Sequence, residues 1–243
     1  MYFDFSNQWM IILLIILIVE NIQNVLLKPG GLLALVLSLP GLLIAISFHE
    51  FAHAFVADKL GDDTPRRNGR LTLNPLAHID PFGMVLLLFA GFGWGKPVDV
   101  DPRNYTRKIS MRTGNAIVSF AGPAMNFILA IVFSIIYGVL LSSNLSFMET
   151  TTGFVVQSAI MFTISMNVGL GVFNLIPLPP LDGSKIILAL LPTKARIWYE
   201  EHESMLYMVS LIVWLTPIST WIISPAISVI NDWLISIIFA IAG

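Results

Sequence analysis

The chain has no cysteine among its 243 residues, and little charge. Without cysteine there is no disulfide and no thiolate metal site, so any metal must be held by nitrogen and oxygen. Charged residues make up 12% of the chain, about half the share usual in soluble domains. The net charge of −2 offers nothing to suggest nucleic acid as a partner. A basic leader is missing too. MYFDFSNQW carries no lysine or arginine, and no A-x-A-like cleavage site follows the first apolar run. The first segment is therefore expected to be retained.

Apolar length is abundant: 56% of residues are hydrophobic and the mean hydropathy is +0.82. The fold class expected is an all-α polytopic membrane protein, since a spanning helix needs about 20 mostly apolar residues. Trp9 to Leu27 is long enough, although Glu20, Asn21, Gln23 and Asn24 make its second half polar. Leu32–Leu60, Arg112–Leu141 and Phe154–Ile176 are stronger spans, and Met205–Ile223 and Ala226–Ala242 form a tail broken by Pro217 and Pro225. The tail reads as two short spans or as one span plus a re-entrant piece, so the expectation is about six membrane segments, with five or seven the alternatives, in one domain over 1–243. Its core is about 32–192, preceded by the membrane segment 1–31 and followed by the hydrophobic segments 204–243.

Lysine and arginine set the expected orientation. Nine of them, from Lys59 to Arg112, lie between the second and third segments, and Lys185, Lys194 and Arg196 follow the fourth. Ser142–Gly153 has none. The basic segments are thus expected on the cytoplasmic side. Between them, Pro81–Val100 contains MVLLLFAGFGWG, apolar, too short to span and rich in glycine. Glycine weakens helices, so a membrane-dipping strand or β-hairpin-like element is expected there.

Within the second span, His49-Glu50-Phe51-Ala52-His53 reads H-E-x-x-H. Residues i and i+4 share a helix face, so both imidazoles reach one ion. Glu50 stands one position on, beside the ion, where it can take a proton from water. Ionisable groups inside a span are rare and usually functional. A catalytic zinc takes a third protein ligand and keeps one position open. The candidates are His78, His202 and the carboxylates. Asp182 is favoured among them. It follows Asn174-Leu-Ile-Pro-Leu-Pro-Pro-Leu at the basic end of a span, where prolines unwind the chain, and unwound backbone at membrane depth is tolerated where it lines a cavity. His78 reads as a loop-ordering histidine and His202 as part of an acidic, solvated patch.

H-E-x-x-H in one span with N-x-x-P-x-x-x-L-D-G (Asn174, Pro177, Leu181-Asp182-Gly183) in a later one resembles the site-2 protease family of intramembrane metalloproteases. The resemblance covers about Leu32 to Pro192. It implies His49, His53 and Asp182 as ligands of one Zn2+, Glu50 as general base, and a three-helix catalytic core. Ala121-Gly-Pro-Ala-Met-Asn126 resembles the family's G-P-x-x-N, which gives Asn126 a catalytic role as a donor to the substrate carbonyl and its oxyanion. Helix packing through Gly122 and Ala124 is the alternative use of that stretch. Pro81–Val100 resembles the family's membrane-embedded β element, against which a membrane-protein substrate would lie as an added extended strand. No PDZ-like or regulatory domain is expected, so the chain resembles a compact member. The expected partners are that substrate and the lipid bilayer, and the expected location is a prokaryotic inner membrane with the site toward the cytoplasm. A metal-binding transporter or sensor would use the same ligands without needing Glu50, and an inactive scaffold that binds membrane partners would carry the motifs by chance.

Overall fold

The structure is a computed structural model, and it describes residues 19, 28–90, 93, 95–106, 108–143, 145–214, 216 and 218–243. The first expected segment, Trp9–Leu27, lies almost wholly outside the described residues. Among those described, four helices are long and apolar enough to cross a membrane, and none of the structure is sheet. The molecule is an all-helical integral membrane protein.

The first described helix, α1 (Gly31–Leu60), is rich in Leu, Ile and Ala and ends at Gly61. Gly61 takes the left-handed conformation (φ 109°), which closes the helix with its N–H on Asp58 O. At 1.5 Å per residue its 30 residues run about 45 Å. That exceeds the hydrocarbon layer and carries Asp58 and Lys59 out of it. After α1 comes α2 (Pro81–Ala90), then the long α3 (Met111–Ser143) and α4 (Thr151–Asn174). Short helices α5 (Asp182–Leu190), α6 (Thr193–Glu201) and α7 (Glu203–Trp214) follow, and α8 (Ile218–Ala242) closes the chain.

Three of the spans, α1, α3 and α4, pack together at close range. A side chain on Gly41 of α1 would collide with the Thr163 backbone of α4, its Cβ 2.7 Å from Thr163 Cα. That is the small-residue crossing that membrane helices use in place of a hydrophobic drive. Ala130 and Tyr137 of α3, Ile164 and Val168 of α4, and Leu234 and Ile238 of α8 form the main apolar core. Phe120, Ile128 and Val139 stay exposed on α3, as lipid-facing residues do.

One expectation is corrected. The stretch expected as a β-hairpin is helical over Pro81–Ala90, and its only sheet-like feature among the described residues is a single antiparallel bridge, Ile79 to Gly95. The reason is local. Asp80 Oδ1 accepts the Gly83 N–H at 2.7 Å, and Pro81 occupies the first turn, where its missing N–H costs nothing. Met84 to Ala90 then contains no glycine, so the helix propagates. The tail takes the one-span alternative. Pro225 lies inside α8, and the span is Trp221–Ala242, with the apolar helix at Glu203–Val213 too short to cross. Four of the expected segments are thus spans among the described residues, and the first lies outside them.

From Gly95 the chain runs back as a strap along the C-terminal half of α1. Lys96 N–H donates to His78 O (2.8 Å), Val98 N–H to Glu50 Oε2 (2.9 Å), Asp101 N–H to Asp62 Oδ2 (2.7 Å) and Thr106 N–H to Leu60 O (2.7 Å). Asp62, fully buried, also accepts from Asn104 Nδ2 and Thr64 N–H. Burial opposes its charge, but the bonds from Asn104, Thr64 and Asp101 outweigh that and hold the carboxyl below its ordinary value.

Candidate metal centre

His49 and His53 lie one turn apart on α1, both buried, their rings edge to face with centroids 4.6 Å apart. Their Nε2 atoms are 3.0 Å from each other, and each is 3.1 Å from Asp182 Oδ2. The three atoms form a nearly equilateral triangle. A tetrahedral ion with bonds of about 2.0–2.1 Å sets its ligand atoms about 3.3 Å apart. The triangle therefore fits one face of such a site. Among the described residues, this is the group of histidines and carboxylates close enough to share a metal ion.

α3 leaves room for the ion. Gly122 faces the imidazoles. A Cβ there would lie 2.6 Å from His49 Nε2 and nearer still to His53 Nε2. The sequence suggested Gly122 as a helix-packing residue, yet what it packs against is the two ligand nitrogens. The triangle, the all-N/O donor set and this cradle together fit a metal ion.

Each ring is held from behind. His53 Nδ1 is 2.7 Å from Val118 O on α3. A carbonyl only accepts, so Nδ1 carries the proton and Nε2 keeps its lone pair for the cluster. His49 Nδ1 is 2.6 Å from Asn126 Oδ1. Asn126 is fully buried, and its Nδ2 donates to Ala45 O (3.0 Å) and Asn167 Oδ1 (2.9 Å). Both amide hydrogens are thus engaged, so the oxyanion donor expected of Asn126 is not available. It lies behind His49, away from the open side of the triangle.

Asp182 arrives from the other direction. The loop after α4 turns through Leu175–Leu181, and Asp182 opens α5. Gly183 permits the turn, because a Cβ on it would press into the Ile176 and Leu175 carbonyls. The loop is held by the elements that follow. Tyr199 Oη donates to Pro177 O (2.9 Å), and Ser210 Oγ donates to Pro179 O (2.7 Å). Arg112 of α3 donates to Leu191 O at the far end of α5 (2.6 Å). None of these buttresses was legible as such in the sequence.

Glu50, half-buried on the next position of α1, holds Val98 N–H through Oε2. His78 is fully buried but does not join the cluster. Its Nε2 bonds Thr72 O (2.7 Å), within the loop it was expected to order. His202 stacks on Trp198 and bonds Trp198 O, again apart from the site.

An H-E-x-x-H helix and a loop aspartate converging inside a bundle of membrane helices define a class: integral membrane proteins with a metallopeptidase-type centre. The family model for peptidase family M50 matches residues 38–217. The chain belongs to that family, the site-2 proteases that its paired motifs resemble. Among curated relatives, the chain is 39% identical over 202 residues to "Putative zinc metalloprotease YwhC" of Bacillus subtilis (strain 168), covering 82% of this chain and 90% of that protein. It is 36% identical over 151 residues to the similarly named Rip2 of Mycolicibacterium smegmatis, covering 61% of this chain and 54% of that one. Against Rip2 of Mycobacterium tuberculosis H37Rv it is 31% identical over 168 residues, covering 68% and 59%. No solved structure matches the chain.

Proposed function

We propose that the chain is a zinc-dependent endopeptidase, a single membrane protease domain. In this reading it cleaves transmembrane or membrane-proximal segments of membrane proteins near the cytoplasmic face of a prokaryotic inner membrane. The observation that carries this reading is the triangle of His49 Nε2, His53 Nε2 and Asp182 Oδ2, with all sides 3.0–3.1 Å, beside the Glu50 carboxylate. The names of the relatives support zinc as the metal.

His49, His53 and Asp182 would hold the ion, which, when bound, polarises the scissile carbonyl and acidifies water. Glu50 is the general base. Val98 N–H anchors Oε2, leaving Oε1 to take a proton from the attacking water and pass it to the leaving amine. Asn126 and the Val118 carbonyl keep the two rings turned toward the centre. The strap at Lys96–Val100 passes Glu50 through the Val98 N–H, and a substrate lying beside it as an added strand would expose its peptide bonds. A helical substrate segment would shield them.

His53 and His49 stand about 10 and 16 Å along the helix from its C-terminus at 1.5 Å per residue. The site therefore sits in the half of the membrane nearer that end. α1 ends, α3 begins and α4 ends on the same side, which also carries the basic residues Lys59–Arg112 and Lys185–Arg196. The positive-inside rule supports that side as cytoplasmic. A transporter would need a path of ionisable groups. Among the described residues, the buried histidine, acidic and basic groups within the four spans are His49 and His53, which make a point and not a path.

Glu50→Gln is the test. With the protein and a panel of single-span membrane proteins co-reconstituted in liposomes, the variant should keep its zinc and lose cleavage by at least about 100-fold. Cleavage at the wild-type rate would remove Glu50 as the base. No cleavage of any substrate by a zinc-loaded wild type would favour the scaffold.

A further inference from the structure

We infer that Asn167, on α4, is a positioning residue for the metal centre. It locks the Asn126 amide so that Oδ1, and not the NH2 group, faces His49, which fixes the His49 tautomer. This deepens the metal-centre reading above and rests on it.

The inference follows from the direction of each hydrogen bond in a chain that crosses three helices. At one end, Asn167 Nδ2 donates to Thr163 O at 2.8 Å. A backbone carbonyl has no hydrogen to give, so this bond fixes which end of the Asn167 amide is nitrogen. Oδ1 of Asn167 must then face Asn126, which answers with Nδ2 at 2.9 Å. The second hydrogen of that Nδ2 goes to another carbonyl, Ala45 O of α1, at 3.0 Å. With its nitrogen assigned twice, Asn126 presents Oδ1 to His49 Nδ1 at 2.6 Å. His49 must then carry its proton on Nδ1, which leaves the Nε2 lone pair on the metal side.

Both asparagines are 0% exposed and His49 is 5% exposed, so water is not at hand to substitute for a missing partner. If the Asn126 amide turned over, its oxygen would meet Ala45 O and Asn167 Oδ1, and its NH2 would meet His49 Nδ1. Two of the three bonds would become mismatches, and the third would hold His49 with its proton on Nε2, the wrong tautomer for a metal ligand. Ala45 O alone leaves one amide hydrogen without an acceptor, and Asn167 supplies that second acceptor. A polar pair buried between spans could merely glue the helices. The consistent direction from Thr163 O to His49 Nε2 distinguishes a positioning role, since packing alone requires no particular orientation.

The test is zinc affinity of the purified, detergent-solubilised protein, measured by competition with a chromophoric chelator. Asn167→Leu keeps the volume and removes the acceptor. It should weaken zinc binding about 10–100-fold, the usual effect of losing a partner behind a metal-ligating histidine. Adding Asn126→Asp to that variant should restore affinity to within a few-fold. A carboxyl group can accept from His49 Nδ1 in either orientation and has no NH2 to present. A packing role would not be rescued in this way. Wild-type affinity in Asn167→Leu, or no rescue by Asn126→Asp, would overturn the inference. A third readout needs no variant: in zinc-free wild type labelled with 15N-histidine, the His49 ring should be protonated at Nδ1, and a bare Nδ1 would overturn it. A wild type that binds no zinc at all would instead overturn the metal-centre reading, and this inference with it.

Discussion

Replacing Gly122 with alanine is expected to close the metal centre. The added Cβ would lie 2.6 Å from both His49 Nε2 and Cε1 and closer to His53 Nε2. That is about 1 Å inside the ~3.5 Å at which carbon contacts become favourable. The contacted atoms are not flexible ends. His49 is held by Asn126 and His53 by Val118 O. Either the rings swing away or α1 and α3 part, and overpacking of this kind costs about 1–3 kcal/mol. Metal–ligand distances tolerate only about 0.2 Å, so either response takes both nitrogens out of bonding range. Loss of one partner behind a ligand weakens metal binding about 10–100-fold, and displacing two ligands should exceed that. The assay is chelator competition for zinc, with Gly169→Ala as control, because a Cβ at Gly169 meets nothing within 4 Å. Wild-type zinc affinity in Gly122→Ala, with an unchanged melting temperature, would refute the placement of the ion between α1 and α3.

Three more predictions address what holds the centre in place. Gly183→Ala should weaken zinc binding while leaving the spans intact by circular dichroism, since its Cβ would press into the Leu175 and Ile176 carbonyls and push Asp182 away. Ser210→Ala combined with Tyr199→Phe should weaken zinc binding less than Asp182→Ala, because they free the Pro177–Pro179 loop without removing a ligand. Asp62→Ala should lower stability near neutral pH by about 1–3 kcal/mol through unsatisfied buried donors. Its folded carboxyl lies below the ordinary value, so its contribution is present above about pH 4 and fades as pH falls through the folded value. The melting temperatures of wild type and variant should therefore converge on acidification, and a gap that widens would contradict the assignment.

The sequence was most legible where chemistry and period coincide. His49 and His53 share a helix face by spacing alone, and their placement in an apolar span left little else for them to do. Asp182 was found through its prolines and the side of the membrane on which its loop falls. The start of the segment at 81–100 went against the sequence reading, since Pro81–Ala90 is helical. Apart from Gly83 in the first turn, its glycines fall at 91–95, after the helix, and the Asp80–Pro81 start signal was outweighed by composition. Asn126 was singled out but given a substrate-facing role, because a motif does not say which way an amide points. Asn167 was missed. The available signal was an amide inside a largely apolar span, and its meaning depends on Asn126, 41 residues away in the chain, and through Asn126 on Ala45, a further 81 away. Gly122 reads as a packing glycine until the imidazoles are in view.

The most direct measurement is the metal content of the purified protein in detergent, beside His49→Ala and Asp182→Ala. The account predicts about one zinc per chain, lost or sharply weakened in both variants. Zinc retained in the Asp182 variant would contradict the three-ligand centre, and a well-folded wild type that takes up no zinc when it is supplied would contradict the account at its root.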